Sequence, residues 1–561
     1  MKFIKNIFSY LFILIFANIS AQYFPKNGNE NLNLKAEEYA DSLYNSLSLD
    51  EKIGQLYIIA LYNNRGEEEI QKIRNLVENE KIGGLILMQE DVEKHIALLN
   101  EFQGKSKIKM MIGIDGEWGL FQRFPVAHKF PWAMTLGAIQ NNNLIYEMTS
   151  KIAEDCKRMG IYWDFAPVVD VNTNPANPII GNRSFGSDVN NVIAKGLAYA
   201  QGLQDNGVLA SMKHFPGHGD TDKDSHLDLP VVSHHLERLD SIELAPFKAL
   251  MDKKIGGVMV AHLYVPALEK KKGIPATLSY NIVTNLLKNK YNYKGLVITD
   301  ALNMNAVAQK FPAGELDLKA FKAGNDIMLF SQDVPNGKAL IKAAIEKGEI
   351  SEERLAESVK KILKTKFLLN LQDLKPINPE NINEDLNNSS HAELSEKLYA
   401  NAITLLKDEK NLLPLNCNQT YYYLPLEEAP FQTLVDVLNF GTTINVISKE
   451  EISQIPENST VIVGFHKNNS TAYKPYKISQ ESKDILSELS KKQNIILDVL
   501  SSPYALKDVD ISTISTVLVS YENNDLSLKA SAKALLGKTK ISGKLPVIVN
   551  ENLKAGSGIE K

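Results

Sequence analysis

Residues 294–300 read Lys294-Gly295-Leu296-Val297-Ile298-Thr299-Asp300, an apolar, largely β-branched run that ends on a carboxylate. A run with no alternation of polar and apolar residues is what a strand buried on both faces requires. Working outward, the same pattern recurs in Ile82-Gly83-Gly84-Leu85-Ile86-Leu87-Met88 and at 110–115, 162–171, 209–215, 256–262 and 326–330. Helical periodicity fills the intervals, as at 143–159, 236–252 and 280–289. Repeated β-α units of this kind predict an α/β fold, with an N-terminal (β/α)8 TIM-type barrel over residues 35–371. Residues 372–394, with Pro376, Pro379 and many Asn, read as a linker crossing the surface. Further runs at 420–426, 444–448, 461–466, 495–500, 516–522 and 543–549 predict a smaller α/β sandwich domain on a parallel sheet, over residues 395–561.

Composition narrows the function without naming it. The 561 residues hold 62 Lys+Arg against 67 Asp+Glu, a net charge of -5, which offers no electrostatic attraction for nucleic acid or an anionic membrane. With 44% hydrophobic and 23% charged residues, the chain is neither a disordered nor a many-span membrane protein. Only Cys156 and Cys417 occur, which excludes a disulfide framework and a Cys-rich metal site and leaves one bridge or two thiols open. Lys2 and Lys5 precede an apolar run at 7–17 and the small residues Ser20-Ala21. That order predicts a secretory signal peptide at 1–21, since a membrane span needs about 20 apolar residues. The expected mature protein is periplasmic or extracellular and has no membrane span after cleavage. Its oligomeric state is not legible.

Polar residues gather where the apolar runs stop. Asp115, Asp170, the pair Lys213 and His214, His262 and Asp300 each close one. In parallel α/β folds the C-terminal strand ends form the ligand face. One charged strand end is explained by a helix cap, whereas five together predict an active-site rim.

Two segments concentrate the chemistry. The first runs Lys213-His214-Phe215-Pro216-Gly217-His218-Gly219-Asp220-Thr221-Asp222-Lys223-Asp224-Ser225-His226. A calcium loop starting at Asp220 would need Gly at Ser225 and an acid at Val231, and Pro216-Gly217 prevents His214 and His218 from sharing a zinc-binding helix. No metal and no cofactor is therefore expected. The catalytic reading pairs Asp224 with His226: the carboxylate fixes one imidazole nitrogen and leaves the other to donate and accept a proton. In this reading Gly217 and Gly219 supply backbone freedom. The second segment is the run ending at Asp300, whose carboxylate is either a helix cap or a nucleophile for a sugar's anomeric carbon.

Together these residues resemble glycoside hydrolase family 3, in its β-N-acetylglucosaminidase branch. The resemblance rests on Lys-His-Phe-Pro-Gly-His-Gly with Asp224-Ser225-His226, on the run ending at Asp300, on Ile114-Asp115-Gly116-Glu117 with Arg123, and on 181–186. It implies Asp300 as nucleophile, His226 as acid/base with Asp224 its partner, and sugar contacts from Asp115, Arg123, Arg183, Lys213 and His214. It also implies a carbohydrate substrate with terminal N-acetylglucosamine, cleaved with retention. The chain carries Trp118-Gly119-Leu120 where that branch usually carries Gly-Gly-Arg.

Other readings compete: a β-glucosidase or β-xylosidase of the same family, a β-N-acetylglucosaminide phosphorylase, and a non-catalytic glycan-binding protein. Ser358-Val359-Lys360-Lys361 matches Ser-x-x-Lys of serine hydrolases, but a solvated face of a Lys-rich helix explains it.

Overall fold

The computed structural model describes residues 30–89, 91–221, 229–468 and 476–561. The signal-like residues 1–21 and the pair Asp224 and His226 lie outside the described residues.

Eight parallel strands form the first sheet: β1 (Tyr57–Leu61), β2 (Gly84–Leu87), β3 (Met111–Ile114), β4 (Trp163–Asp164), β5 (Leu209–Phe215), β6 (Gly257–Val260), β7 (Leu296–Thr299) and β8 (Met328–Leu329). Neighbours pair in chain order, and β8 returns to β1 through Tyr57 opposite Met328. A single bridge, Ile298 opposite Ile327, joins β7 to β8 and completes the ring. Every residue in these strands is buried, the polar Asp164, Ser211, Lys213, His214 and Thr299 included, which accounts for their predominantly apolar character.

The closing seam has its own polar anchor. Asp326, just before β8, is fully buried and accepts from Val297 N–H (2.9 Å), Ser358 Oγ (2.6 Å), Lys288 Nζ (3.0 Å) and Lys361 Nζ (2.9 Å). These cations outweigh the effect of burial and hold the Asp326 carboxyl well below the usual carboxylate range. Ser358 and Lys361 are therefore engaged in structure, and the helix face they occupy is turned inward on Asp326, whereas the sequence reading has it solvated.

The second sheet has six strands in the order β11-β10-β12-β13-β14-β9: β9 (Thr404–Asp408), β10 (Thr420–Leu426), β11 (Thr443–Val446), β12 (Thr460–His466), β13 (Asn494–Leu500) and β14 (Thr516–Val519). Five strands are parallel and β9 lies antiparallel to β14, so the sheet is mixed, with helices packed against it.

Four local expectations change. The strand β1 is not among the expected runs, and neither is β9. Residues 543–549 form no strand, because Pro546 lacks an N–H and Lys544 N–H and Pro546 O bond to the barrel at Ala138 O and Ser187 N–H. The expected helix at 236–252 splits into Leu236–Ser241 and Ala245–Asp252, with Pro246 in the first turn of the second, where its missing N–H costs nothing. The 372–394 segment is pinned to the barrel. Ile382 and Leu386 of a short helix are buried, and Asn100 pairs with both backbone groups of Ile377. Cys156 is buried, Cys417 is exposed, and both are free thiols. Among the described residues no helix is long and apolar enough to cross a membrane.

The two domains share a buried carboxylate. Glu522 accepts from Trp132 N–H (2.9 Å), Thr135 Oγ1 (2.8 Å) and Tyr399 Oη (3.1 Å) and is 1% exposed. Glu522→Ala leaves those donors unpaired and should lower stability by on the order of 3 kcal/mol. Glu522→Gln retains an acceptor oxygen and should lose clearly less. Thermal denaturation of the two variants checks the ranking.

Candidate active site

The loop after β3 and the end of β5 meet through one ammonium group. Lys213 Nζ, only 2% exposed, lies 2.9 Å from Asp115 Oδ1 and 2.8 Å from Glu117 Oε1. Arg123 closes the β3 loop onto the other oxygen of Asp115 (2.6 Å). Arg183 grips Glu117 with two parallel hydrogen bonds of 2.8 and 2.7 Å, a bidentate geometry that fixes both planes. Its terminal nitrogen also reaches His214 Nε2 at 3.2 Å. On its other side His214 Nδ1 lies 2.7 Å from Asp170 Oδ2. Asp170 also accepts from His218 N–H (2.6 Å).

The charges follow from these contacts. Burial raises the carboxyls of Asp115 and Glu117, but the adjoining cations outweigh it. For Asp115, Lys213 and Arg123 hold the group far below the usual range; for Glu117, Arg183 and Lys213 bring it down to about 2. Burial lowers the Lys213 ammonium, yet its two carboxylates push it above its ordinary value, so it stays charged. Asp170 is likewise raised by burial and then held below the usual range by His214 and His218. His218 is pushed down to about 4 by burial and by His214, so its ring is neutral near pH 7.

Local backbone features aim these groups. The pairing of β5 with β6 shifts register between Met212 and Phe215, the irregularity that re-aims side chains at a strand end. Beyond it, the two glycines have different duties. Gly217 has φ +127°, a conformation that needs glycine, whereas a Cβ on Gly219 would lie 1.9 Å from Val171 O, so that glycine serves close packing.

A cavity of about 670 Å³ lies over these groups. Asp115, Arg123, Arg183, Lys213, His214 and Asp300 all line it, so the six described residues expected at the site are brought together. Asp300, half-buried, takes Ala301 N–H on one oxygen (2.8 Å). The strand-end pattern overreaches at two positions. Asp170 and His262 do not line this cavity; both are fully buried behind it. His262 joins Thr277 Oγ1 (2.7 Å) to Ala301 O (3.0 Å), bracing the chain next to Asp300. A second cavity of the same volume, about 670 Å³, opens at the other end of the barrel around Lys109, Tyr162 and Gly207 and holds none of these groups.

Sequence reasoning singled out neither Glu117 nor Asp164 as a functional residue. Glu117 is the hub of the ion cluster, and its partner Arg183 lies 66 positions away, so only the fold joins them. Asp164, at the end of β4, accepts from Gly116 N–H (2.9 Å) beneath the same loop, and Tyr199 Oη donates to Gly116 O (3.0 Å). Among the described residues, Asp220, His234 and Glu243 group closely enough to hold a cation. Arg238 already supplies one, at 2.9 Å from Asp220 and 3.3 Å from Glu243.

Burial pushes the Asp164 carboxyl up to about 7, with Gly116 N–H and Lys213 opposing the rise and Asp115 and Glu117 adding to it. The folded chain thus keeps a proton that the unfolded chain releases near pH 4, so this residue's contribution to stability falls as pH rises from about 4 to about 7. Asp164→Asn keeps the acceptor for Gly116 without that dependence. Its melting temperature should gain on the parent through this window and level off above about pH 7. Parallel melts from about pH 4 to about pH 8 check it; a flat difference would disprove the buried proton.

Comparison with known proteins agrees with this geometry. The Glycosyl hydrolase family 3 N terminal domain matches residues 48–365. The chain is 34% identical over 387 residues to beta-hexosaminidase A of Pseudoalteromonas piscicida, across 63% of this chain and 64% of that protein, so it spans less than two thirds of that relative. It is 28% identical over 403 residues to a beta-N-acetylglucosaminidase/beta-glucosidase of Cellulomonas fimi, across 70% of this chain and 69% of that one. A solved family 3 beta-N-acetylglucosaminidase from Paenibacillus sp. str. FPU-7 superposes with TM-score 0.74 at 30% identity, over 90% of this chain and 99% of that one. The chain belongs to glycosyl hydrolase family 3.

Proposed function

We propose that this chain is a retaining, exo-acting β-N-acetylhexosaminidase that removes terminal β-linked N-acetylglucosamine from glycans or peptidoglycan fragments. The observation that carries the reading is the convergence, in one cavity, of the Asp300 carboxylate with the Asp115, Arg123, Lys213, His214 and Arg183 cluster. The family and the names of its relatives support the substrate class.

In this mechanism the cluster holds the hydroxyl and N-acetyl groups of one sugar ring while Asp300 attacks the anomeric carbon. His226, oriented by Asp224, protonates the departing glycosidic oxygen and then takes a proton from the water that releases the sugar from Asp300. The cavity's charges balance, with Arg123, Arg183 and Lys213 against Asp115, Glu117 and Asp300. Each of the three cations already faces a carboxylate, which suits a neutral sugar. The basic, apolar and small-residue order of residues 1–21 supports export to the periplasm or beyond.

An aryl N-acetylglucosaminide should be turned over in preference to the aryl glucoside, with no sugar phosphate formed when phosphate is added. Preference for the glucoside would overturn the reading. Asp300→Ala should lower kcat by roughly 1000-fold or more. Asp224→Ala should lower it by roughly 100-fold and alter the pH–rate profile, as expected when a histidine loses its orienting carboxylate.

A further inference from the structure

Of the chain's three tryptophans, Trp132 and Trp163 are buried, at 2% and 0% exposure, while Trp118 is half-buried and lines the cavity. Its position is tightly set. Glu117, the preceding residue, is held by Arg183 and Lys213. Phe130 N–H donates to Trp118 O (3.3 Å), and Gly119, with φ +82°, turns the chain immediately after it. A helical turn at Leu120–Gln122 then brings Phe121 into the same cavity, and Arg123 returns to Asp115. The indole meets Trp132 edge-on, with ring centroids 6.4 Å apart at 72°, and the backbone N–H of Trp132 in turn donates to Glu522.

A large aromatic surface is thus left open on a rigid loop beside groups that bind hydroxyls. A pyranose matches that combination, because its edge carries hydroxyls and its faces carry carbon–hydrogen bonds that pack on an aromatic ring. We propose that Trp118 is a sugar-stacking residue of this cavity, taking the carbon–hydrogen face of a saccharide whose hydroxyls Asp115, Arg123 and Lys213 hold. The proposal rests on the glycosidase reading above. The contact is made equally in the ground and transition states, so its loss raises KM and spares kcat.

Trp118 is the one of the three tryptophans that lines this cavity, which makes the test direct. Titration of the full chain with N-acetylglucosamine should shift its tryptophan emission saturably and shield it from acrylamide quenching. Trp118→Phe should abolish that spectral response while calorimetry still registers binding. Trp118→Ala should raise KM for an aryl N-acetylglucosaminide roughly 10-fold with kcat within about 2-fold, and Trp118→Phe should restore most of the loss. Calorimetric binding by the parent chain with no change in emission or quenching would overturn the proposal and leave the glycosidase reading intact. So would a Trp118→Ala variant with unchanged KM. A parent chain that neither binds N-acetylglucosamine nor turns over its aryl glycoside would overturn both.

Discussion

A buried ammonium group governs the mouth of this barrel. Lys213 Nζ has almost no access to water and sits between two carboxylates. An isolated buried charge is costly, and removing one partner from a buried pair leaves the other uncompensated. Lys213 therefore requires Asp115 and Glu117 where they are, and they in turn require Arg123 and Arg183. The chain of contacts continues through His214 to Asp170 and the backbone of His218. Strands β3 and β5 are locked across β4 by charge pairing as well as by the sheet. The result is a set of donors and acceptors fixed in place before any ligand arrives, which limits the reorganisation that binding a polyhydroxyl ring would demand.

The second domain contributes to this site without entering it. Every residue that lines the cavity among the described residues lies between Tyr62 and Phe330, within the barrel. The later part of the chain instead backs the loop that carries Arg183. Tyr504 Oη donates to Asn172 O (3.2 Å), Tyr476 Oη to Pro175 O (2.9 Å), and Ser187 N–H to Pro546 O (2.9 Å). Together with Glu522, these contacts hold the 172–187 loop and the Trp132 turn from behind. Arg183 can keep its bidentate hold on Glu117 only if that loop stays in place, so the smaller domain acts on the cavity through the position of Arg183.

The legible part of the fold was carried by local pattern. Long apolar stretches mark runs buried on both faces, and seven of the eight barrel strands fall within the expected runs, although Asp164 of β4 and Ser211, Lys213 and His214 of β5 are polar. The exception, β1, follows directly on the helix Leu49–Gly54, so its apolar residues merge with a helical pattern and show no boundary. The failed strand at 543–549 carried its own warning in Pro546. In the site, residues at strand ends were legible because position alone marks them. Glu117 and Asp164 were not, because their importance lies in partners 48 to 96 residues away. Asp170 and His262 share the strand-end signature with Asp115 and Asp300, yet they face backward. A strand end fixes which end of the barrel a side chain occupies, and not whether it points into the mouth or into the packing behind it.

The balance of charge in the cavity bears on how selectivity arises. With its cations already paired, the site exerts little net pull on an ion, and long-range attraction cannot sort its ligands. Discrimination must come from short-range fit. A buried donor or acceptor left unpaired by the wrong ligand costs far more than a missing apolar contact, so on the proposed reading Asp115, Lys213 and Arg183 judge the pattern of hydroxyls and amides. Tyr62, Phe330, Trp118 and Phe121, with Met88, add apolar surface to the same cavity. Such surface tolerates variation in what it packs against while it excludes water. On the proposed glycosidase reading the polar groups set which sugar is accepted, and the apolar surface sets how tightly it is held.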